Sequence, residues 1–205
     1  DRISRIHLYS AFCKNSSQAK PEYMRRLESR RFILFVGDRR GYKNSNLLLR
    51  AFITANPKKQ GIDLIFAGGG MLTPSEIKLI EANGITENVH AFSVSDSELW
   101  YLYNNAQALL VPSMYEGFSL PLVEALHADI PVICSDIQVH REVAKGFAEF
   151  LNPLICAQWV DSILSLDSFR RPSQMLGETA YKELLAYYSR KRLVNQHVSC
   201  YRKLL

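Results

Sequence analysis

One segment indicates the fold class of this chain: Pro112-Ser-Met-Tyr-Glu-Gly-Phe-Ser-Leu-Pro-Leu-Val-Glu124. The apolar run Ala108–Val111 comes directly before it and is typical of a short buried strand. Pro112 and Gly117 end this strand, and Ser119 stands where an N-cap residue begins a helix. A proline in the first turn of that helix fits the same interpretation. The segment therefore predicts a strand, a loop and a helix in direct succession.

Two carboxylates belong to this segment. Glu116 lies in the loop between the strand and the helix, and Glu124 lies on the helix just after its first turn. Open α/β sheets bind ligands at the carboxyl ends of their strands. The start of the helix offers free N–H groups and the positive end of a dipole to an anion. We therefore expect a ligand that carries both hydroxyl groups and phosphate.

An earlier strand is followed by a basic loop. Phe32–Val36 is continuously apolar, as in a strand buried on both faces. Gly37 and Gly41 in the next loop allow a sharp turn and a close approach of backbone to a ligand. Arg39 offers a planar fork of donors and Lys43 a mobile point charge, and both suit a diphosphate. The alternative is a solvent-exposed loop whose charges keep the chain soluble.

These segments together resemble a known family. Glu116 and Glu124, with seven residues between them, resemble the signature of retaining glycosyltransferases of the GT-B type, family four, also described as glycosyl transferases group one. Phe35–Asn44 resembles the first strand and phosphate loop of that family, and Leu64–Gly70 its second strand and glycine turn. The resemblance covers the C-terminal, donor-binding half of such enzymes.

The resemblance implies a role for each matching residue. Glu116 would face the donor sugar, and Arg39 and Lys43 would hold the phosphates and stabilise the departing nucleotide diphosphate. Glu124 would bind the ribose hydroxyls. The remaining donor-binding residues implied, all through their backbone, are Gly37, Phe118, Ser119 and Leu120.

Three places in the sequence depart from the usual pattern of the family. Most relatives carry glycine where this chain has Ser119, a change expected to alter the fit of the sugar slightly. In many relatives an arginine directly follows the glycine of the phosphate loop, where Asp38 stands here. The segment His127-Ala128-Asp129 replaces small residues and a glycine, which is expected to reshape a turn without touching the chemistry.

The implied activity is transfer of a hexose from a UDP- or GDP-sugar to a glycan or lipid-linked acceptor, with retention at the anomeric carbon. No cofactor and no metal are expected, because the basic pair takes the place of a divalent cation and no Asp-x-Asp motif is present. The acceptor-binding N-terminal domain of such enzymes is missing, so the chain alone is expected to be inactive. The expected setting is polysaccharide or lipopolysaccharide biosynthesis in the cytoplasm, with peripheral contact at the inner face of the membrane as an option.

Two other classes of protein stay open. One is a non-catalytic nucleotide-sugar-binding or regulatory domain, against which the intact Glu116, Glu124 and Lys43 argue. The other is an unrelated Rossmann oxidoreductase, which would need a G-x-G-x-x-G fingerprint that the sequence lacks.

Length and patterning predict the architecture. The chain has 205 residues, of which 47% are hydrophobic, so it can bury a sizeable core. Strand and helix patterns alternate about six times, which predicts a Rossmann-like parallel sheet with helices on both faces. This is one half of a GT-B fold, followed by C-terminal helices. The predicted division is residues 1–28 as a segment derived from a linker, 29–170 as the nucleotide-sugar-binding domain and 171–205 as a helical tail.

Charge and cysteines limit the setting. The net charge of +5 fits an anionic ligand or an acidic membrane surface, and nucleic acid is not expected because no recognised motif accompanies the charge. The four cysteines are scattered, which fits a reducing cytosol. No apolar run approaches the roughly 20 residues that cross a bilayer. Because the chain begins with Asp1 rather than Met, we expect a piece of a longer protein, with a complete mature domain as the alternative.

Overall fold

The structure is a computed structural model that describes residues 22–39, 41–189 and 192. Within these residues, six strands form one parallel sheet. They are β1 (Arg31–Val36), β2 (Ile62–Ala67), β3 (Val89–Phe92), β4 (Ala108–Val111), β5 (Val132–Ser135) and β6 (Glu149–Leu151). Their order across the sheet is β3-β2-β1-β4-β5-β6. The direction in which strands are added therefore reverses between β1 and β4, which makes this position the topological switch point of the sheet.

Helices cover both faces of the sheet. They are α1 (Glu22–Leu27), α2 (Ser45–Thr54), α3 (Pro57–Gln60), α4 (Pro74–Ala82), α5 (Asp96–Asn105), α6 (Leu120–Ala128), α7 (Gln138–Ala144), α8 (Cys156–Leu164), α9 (Pro172–Leu176) and α10 (Glu178–Tyr187). Short 3-10 turns cover Gly41–Lys43, Thr86–Asn88 and Leu166–Ser168. Helices α5, α6, α7 and α10 pack on one face, and α2, α4 and α8 on the other. The predicted Rossmann-like α/β fold is confirmed.

The predicted division into segments stays a prediction. Residues 1–21 of the linker-derived segment lie outside the described part of the chain. From the predicted helical tail, Leu184 and Tyr188 are buried in the same hydrophobic cluster as residues of α6 and α7. The Tyr188 hydroxyl donates to the carbonyl oxygen of Val143 at 2.9 Å. The described part of the tail is therefore packed onto the sheet domain.

The turn after α6 explains one departure from the family pattern. Asp129 ends this helix in the left-handed region, with φ 51° and ψ 44°, a conformation that glycine adopts most readily. Aspartate tolerates this region better than most residues. Its carboxylate accepts bonds from the Ser173 N–H at 2.9 Å and the Ser173 hydroxyl at 2.7 Å. The aspartate thus keeps the turn and ties α6 to the start of α9.

We expect Asp129→Ala to lower the free energy of unfolding by about 2 kcal/mol, because it loses both bonds from Ser173 and keeps a Cβ in the left-handed region. Asp129→Gly loses the same bonds but relieves the backbone, so its loss should be about 1 kcal/mol smaller. Urea unfolding of both variants measures the difference. Equal losses would show that the backbone conformation of Asp129 carries no strain.

Candidate active site

Two loops meet at the switch point of the sheet. Strands β1 and β4 are neighbours, with Ile33 opposite Ala108 and Leu34 opposite Leu109. The loop after β1 ends in the 3-10 turn Gly41–Lys43, and the loop after β4 leads into α6. Between them, the Met114 N–H donates to the carbonyl oxygen of Tyr42 at 2.7 Å. The basic loop and the carboxylate loop predicted from sequence therefore form one site.

An ion pair lies at the centre of this site. Lys43 Nζ donates to Glu116 Oε1 at 2.5 Å, and the Ser113 hydroxyl donates to the same oxygen at 2.8 Å. Glu116 is only 5% exposed. A buried carboxylate needs an opposite charge and hydrogen bonds to remain ionised at low cost, and these two neighbours supply both. Ser113, which sequence reasoning did not single out, fixes the direction of the Glu116 side chain.

A buried histidine lies behind the ion pair. His140, on α7, is fully buried, and its Nδ1 lies 2.9 Å from the carbonyl oxygen of Ser135. Since a carbonyl only accepts, Nδ1 carries the hydrogen and Nε2 of the neutral ring carries a lone pair. Nε2 has no hydrogen-bond partner among the described residues. Sequence reasoning missed His140, because a lone histidine on a helix carries no motif.

The environment of His140 favours its neutral form. Burial lowers the pKa of His140 below its ordinary value. The carbonyl of Ser135 has the opposite effect on this pKa, because it favours the protonated ring. The carboxylate of Glu116 raises this pKa and the ammonium group of Lys43 lowers it. His140 is therefore within electrostatic reach of both members of the ion pair.

The second predicted carboxylate is held by a different helix. Glu124 is half-buried on α6, and the hydroxyl of Tyr103 on α5 donates to its Oε2 at 2.7 Å. Tyr103 is fully buried. Its bond orients the carboxylate of Glu124, the fifth residue of α6. Sequence reasoning gave Tyr103 no role in the site.

The start of α6 is unlike the starts of α4 and α5. Thr73 and Ser95, with ψ of 157° and 167°, close capping boxes with Glu76 and Glu98. Ser119 has ψ 88°, and its side chain makes no capping bond. Its hydroxyl is buried and has no hydrogen-bond partner among the described residues.

The side chain of the N-cap residue therefore accepts no hydrogen bond from the N–H groups at the start of α6. The predicted backbone contacts of Phe118, Ser119 and Leu120 with the donor stay predictions. The Phe118 side chain is 49% exposed, and its ring meets the Tyr188 ring edge-on at 6.5 Å.

Arg39 is placed differently from Lys43. Its side chain is 3% exposed, and its guanidinium lies 5.4 Å from the centre of the Phe66 ring. It donates to the carboxylate of Glu76 and to the carbonyl oxygens of Gly68, Gly70 and Met71. Arg39 thus braces the loop after β2. The prediction that it holds phosphate stays a prediction, and phosphate binding by Arg39 would require these bonds to be exchanged.

Glycines let the loop after β1 and the loop after β2 approach each other. Gly37 has φ 129°, and its N–H donates to the carbonyl oxygen of Ala67 at 2.9 Å. A Cβ on Gly69 would lie 3.0 Å from the Arg39 nitrogen and 3.1 Å from the Gly37 oxygen, closer than side-chain atoms normally come. A Cβ on Gly37 would lie 3.7 Å from Lys43 Cε, so this glycine lies beside the lysine. Its expected contact with the donor stays a prediction.

The described residues offer neither a metal-ligand cluster nor a membrane-spanning helix. In residues 22–39, 41–189 and 192, no group of three or more His, Cys, Asp or Glu side chains is arranged to hold a metal ion. The expectation of a reaction without metal stays a prediction. The same ranges contain no helix with the length and apolarity to span a membrane.

The fold and the site define a class of protein: a Rossmann-like domain with a largely buried lysine–glutamate ion pair at its switch point. The sequence profile of the family described as "Glycosyl transferases group 1" matches residues 18–165. The chain belongs to this family, and its fold is that of the C-terminal half of a GT-B glycosyltransferase.

Named relatives agree with this membership. The chain is 35% identical over 136 residues to the MMP alpha-(1->4)-mannosyltransferase of Mycolicibacterium hassiacum, covering 63% of this chain and 32% of that protein. It is 27% identical over 180 residues to the O-antigen chain mannosyltransferase B of Escherichia coli, covering 84% of this chain and 46% of that protein. The chain thus spans less than half the length of either relative.

A solved structure matches the chain almost end to end. It is the C-terminal domain of the glycosyl transferase group 1 family protein LpcC from Francisella tularensis, with a TM-score of 0.66 and 16% identity. The match covers 88% of this chain and 97% of that one. At this identity the likeness supports the fold alone.

The buried His140 predicts a dependence of stability on pH. Its folded pKa is lowered, so as pH falls through about 6.5 the unfolded chain takes up a proton that the folded chain does not. The stability that depends on the neutral His140 should be nearly complete at pH 7 and decline between pH 7 and 5, by at most about 1.4 kcal/mol per pH unit. His140→Asn keeps a donor for Ser135 without titrating, so its stability should be flatter over this range in urea unfolding.

The carboxylate of Asp63 should not add to the change in stability between pH 7 and 5. Burial raises the pKa of Asp63, but His90, 3.6 Å away, and the bond from Arg30 lower it overall. The stability that the Asp63 carboxylate contributes is therefore lost only below about pH 4. Identical slopes between pH 7 and 5 in wild type and His140→Asn would contradict the assignment.

Proposed function

We propose that this chain is the donor-binding half of a retaining hexosyltransferase that uses a UDP- or GDP-hexose. It acts with an N-terminal domain that binds a glycan or lipid-linked acceptor, at the cytoplasmic face of a membrane. The relatives named above are mannosyltransferases, one of them for an O-antigen chain, which favours mannose as the hexose and polysaccharide or lipopolysaccharide as the product. The observation that carries the proposal is the Lys43–Glu116 pair at the switch point.

Donor binding would exchange the partners of this pair. A diphosphate presents more negative charge to Lys43 than one carboxylate does, so the ammonium group would turn from Glu116 to the phosphates. Glu116 would stay oriented by the Ser113 hydroxyl and gain the capacity to accept bonds from sugar hydroxyls. After the exchange, Lys43 is paired with phosphate, and Glu116 accepts hydrogen bonds from the Ser113 and sugar hydroxyls, which limits the cost of its lost ion pair.

The same groups suit the chemical step. Departure of the nucleoside diphosphate develops negative charge, which Lys43 and the N–H groups at the uncapped start of α6 would stabilise. Glu116 would stabilise the positive charge that develops on the sugar ring. Glu124 would accept bonds from the ribose hydroxyls and so position the donor for the reaction.

Lys43→Ala should weaken binding of GDP or UDP about ten- to a hundredfold, because a charge-assisted bond to phosphate is lost. Binding of the matching nucleoside should hardly change, since it carries no phosphate. Titration calorimetry of the four ligands measures this, with Lys182→Ala, an exposed lysine paired to Glu178, as the control for lost charge. Equal weakening of nucleotide and nucleoside would make Lys43 a residue of the fold rather than a phosphate ligand.

The chain on its own should bind a nucleoside diphosphate with EDTA present and transfer no sugar. Transfer needs an acceptor held in line and water excluded, which the second domain provides by closure. Joining the chain to its N-terminal domain should restore transfer from a radiolabelled GDP- or UDP-hexose. Robust transfer by the 205-residue chain alone, or a strict requirement for a divalent metal in binding, would contradict the proposal.

A further inference from the structure

We infer that Tyr103 is a positioning residue for the donor's ribose, acting through Glu124, and this inference rests on the function proposed above. The two residues lie 21 positions apart on neighbouring helices, α5 and α6. The phenol oxygen is 2.7 Å from Glu124 Oε2, a short distance typical of a hydroxyl that donates to a carboxylate.

The ring of Tyr103 is fixed by the core. It is fully buried and belongs to the hydrophobic cluster that α5 and α6 share, so the hydroxyl has a set position at the edge of that cluster. Glu124, in contrast, is only half-buried and has a long side chain with several rotamers. A bond from a fixed donor selects one rotamer of the carboxylate before the ligand arrives, which reduces the entropy lost on binding.

The two glutamates of the site are held by donors of different charge. Glu116 is paired with the ammonium group of Lys43, which balances its charge. This ion pair has to be exchanged when the nucleotide sugar binds. Glu124 accepts from the phenol of Tyr103, a neutral group that orients the carboxylate without adding a positive charge of its own. A ribose offers two adjacent hydroxyl donors, and a preoriented anionic acceptor matches them. Tyr103 can therefore keep its bond throughout the reaction.

Tyr103→Phe tests this assignment, because it removes the hydroxyl and leaves the buried ring. GDP or UDP, whichever wild type binds more tightly, is compared with its 2′,3′-dideoxy form by calorimetry. Wild type should prefer the ribose form, and Tyr103→Phe should reduce that preference about fivefold. In the enzyme joined to its N-terminal domain, KM for the donor should rise with little change in kcat. In the Glu124→Ala background, Tyr103→Phe should reduce the preference no further.

Tyr181→Phe is the matched control. Its hydroxyl donates to the Leu126 carbonyl on the same helix as Glu124, at 2.9 Å, so its loss should lower stability without changing the ribose preference. If Glu124→Ala removes the preference and Tyr103→Phe retains it, the phenol only satisfies its own hydrogen bond and the inference is overturned. If wild type binds neither GDP nor UDP, the proposed function fails, and the inference with it.

Discussion

The ion pair between Lys43 and Glu116 depends on the order of the strands and in turn organises the site. Its two residues are 73 positions apart in the chain, and they meet because β1 and β4 are neighbours where the order of the sheet reverses. An almost fully buried carboxylate without a cation would be strongly destabilising. The pair therefore joins the loops after β1 and β4 and holds an ammonium group and a carboxylate together at the switch point.

Much of the fold could be predicted from sequence because its causes are local. A short apolar run such as Ala108–Val111, bounded by turn residues, predicts a strand from local sequence alone. Proline and glycine mark the ends of such runs. The edge on which Lys43 and Glu116 lie follows from the parallel arrangement alone. The Thr73 and Ser95 capping boxes follow from four-residue patterns.

The rest of the site depends on partners that are distant in sequence. An arginine that donates to carbonyls uses the same fork of donors as one that holds phosphate, so Arg39 could not be assigned before its acceptors, about 30 residues further on, were placed. Tyr103 meets Glu124 across two helices, and His140 approaches the ion pair from a third. Neither contact leaves a pattern in the sequence. Only packing reveals them.

Unsatisfied polar groups also point to the switch point. Among the described residues, the buried side-chain atoms without a hydrogen-bond partner belong to Asp63, His90, Ser119 and His140. Asp63 Oδ2 forms an ion pair with Arg30 and lies 3.6 Å from His90 Nε2. Ser119 follows Glu116 by three residues, and His140 is within electrostatic reach of both members of the Lys43–Glu116 pair. A buried polar group without a partner costs about 1–3 kcal/mol, and proteins carry such costs mainly at functional sites. The unpaired atoms of Ser119 and His140 therefore support a ligand site at the switch point.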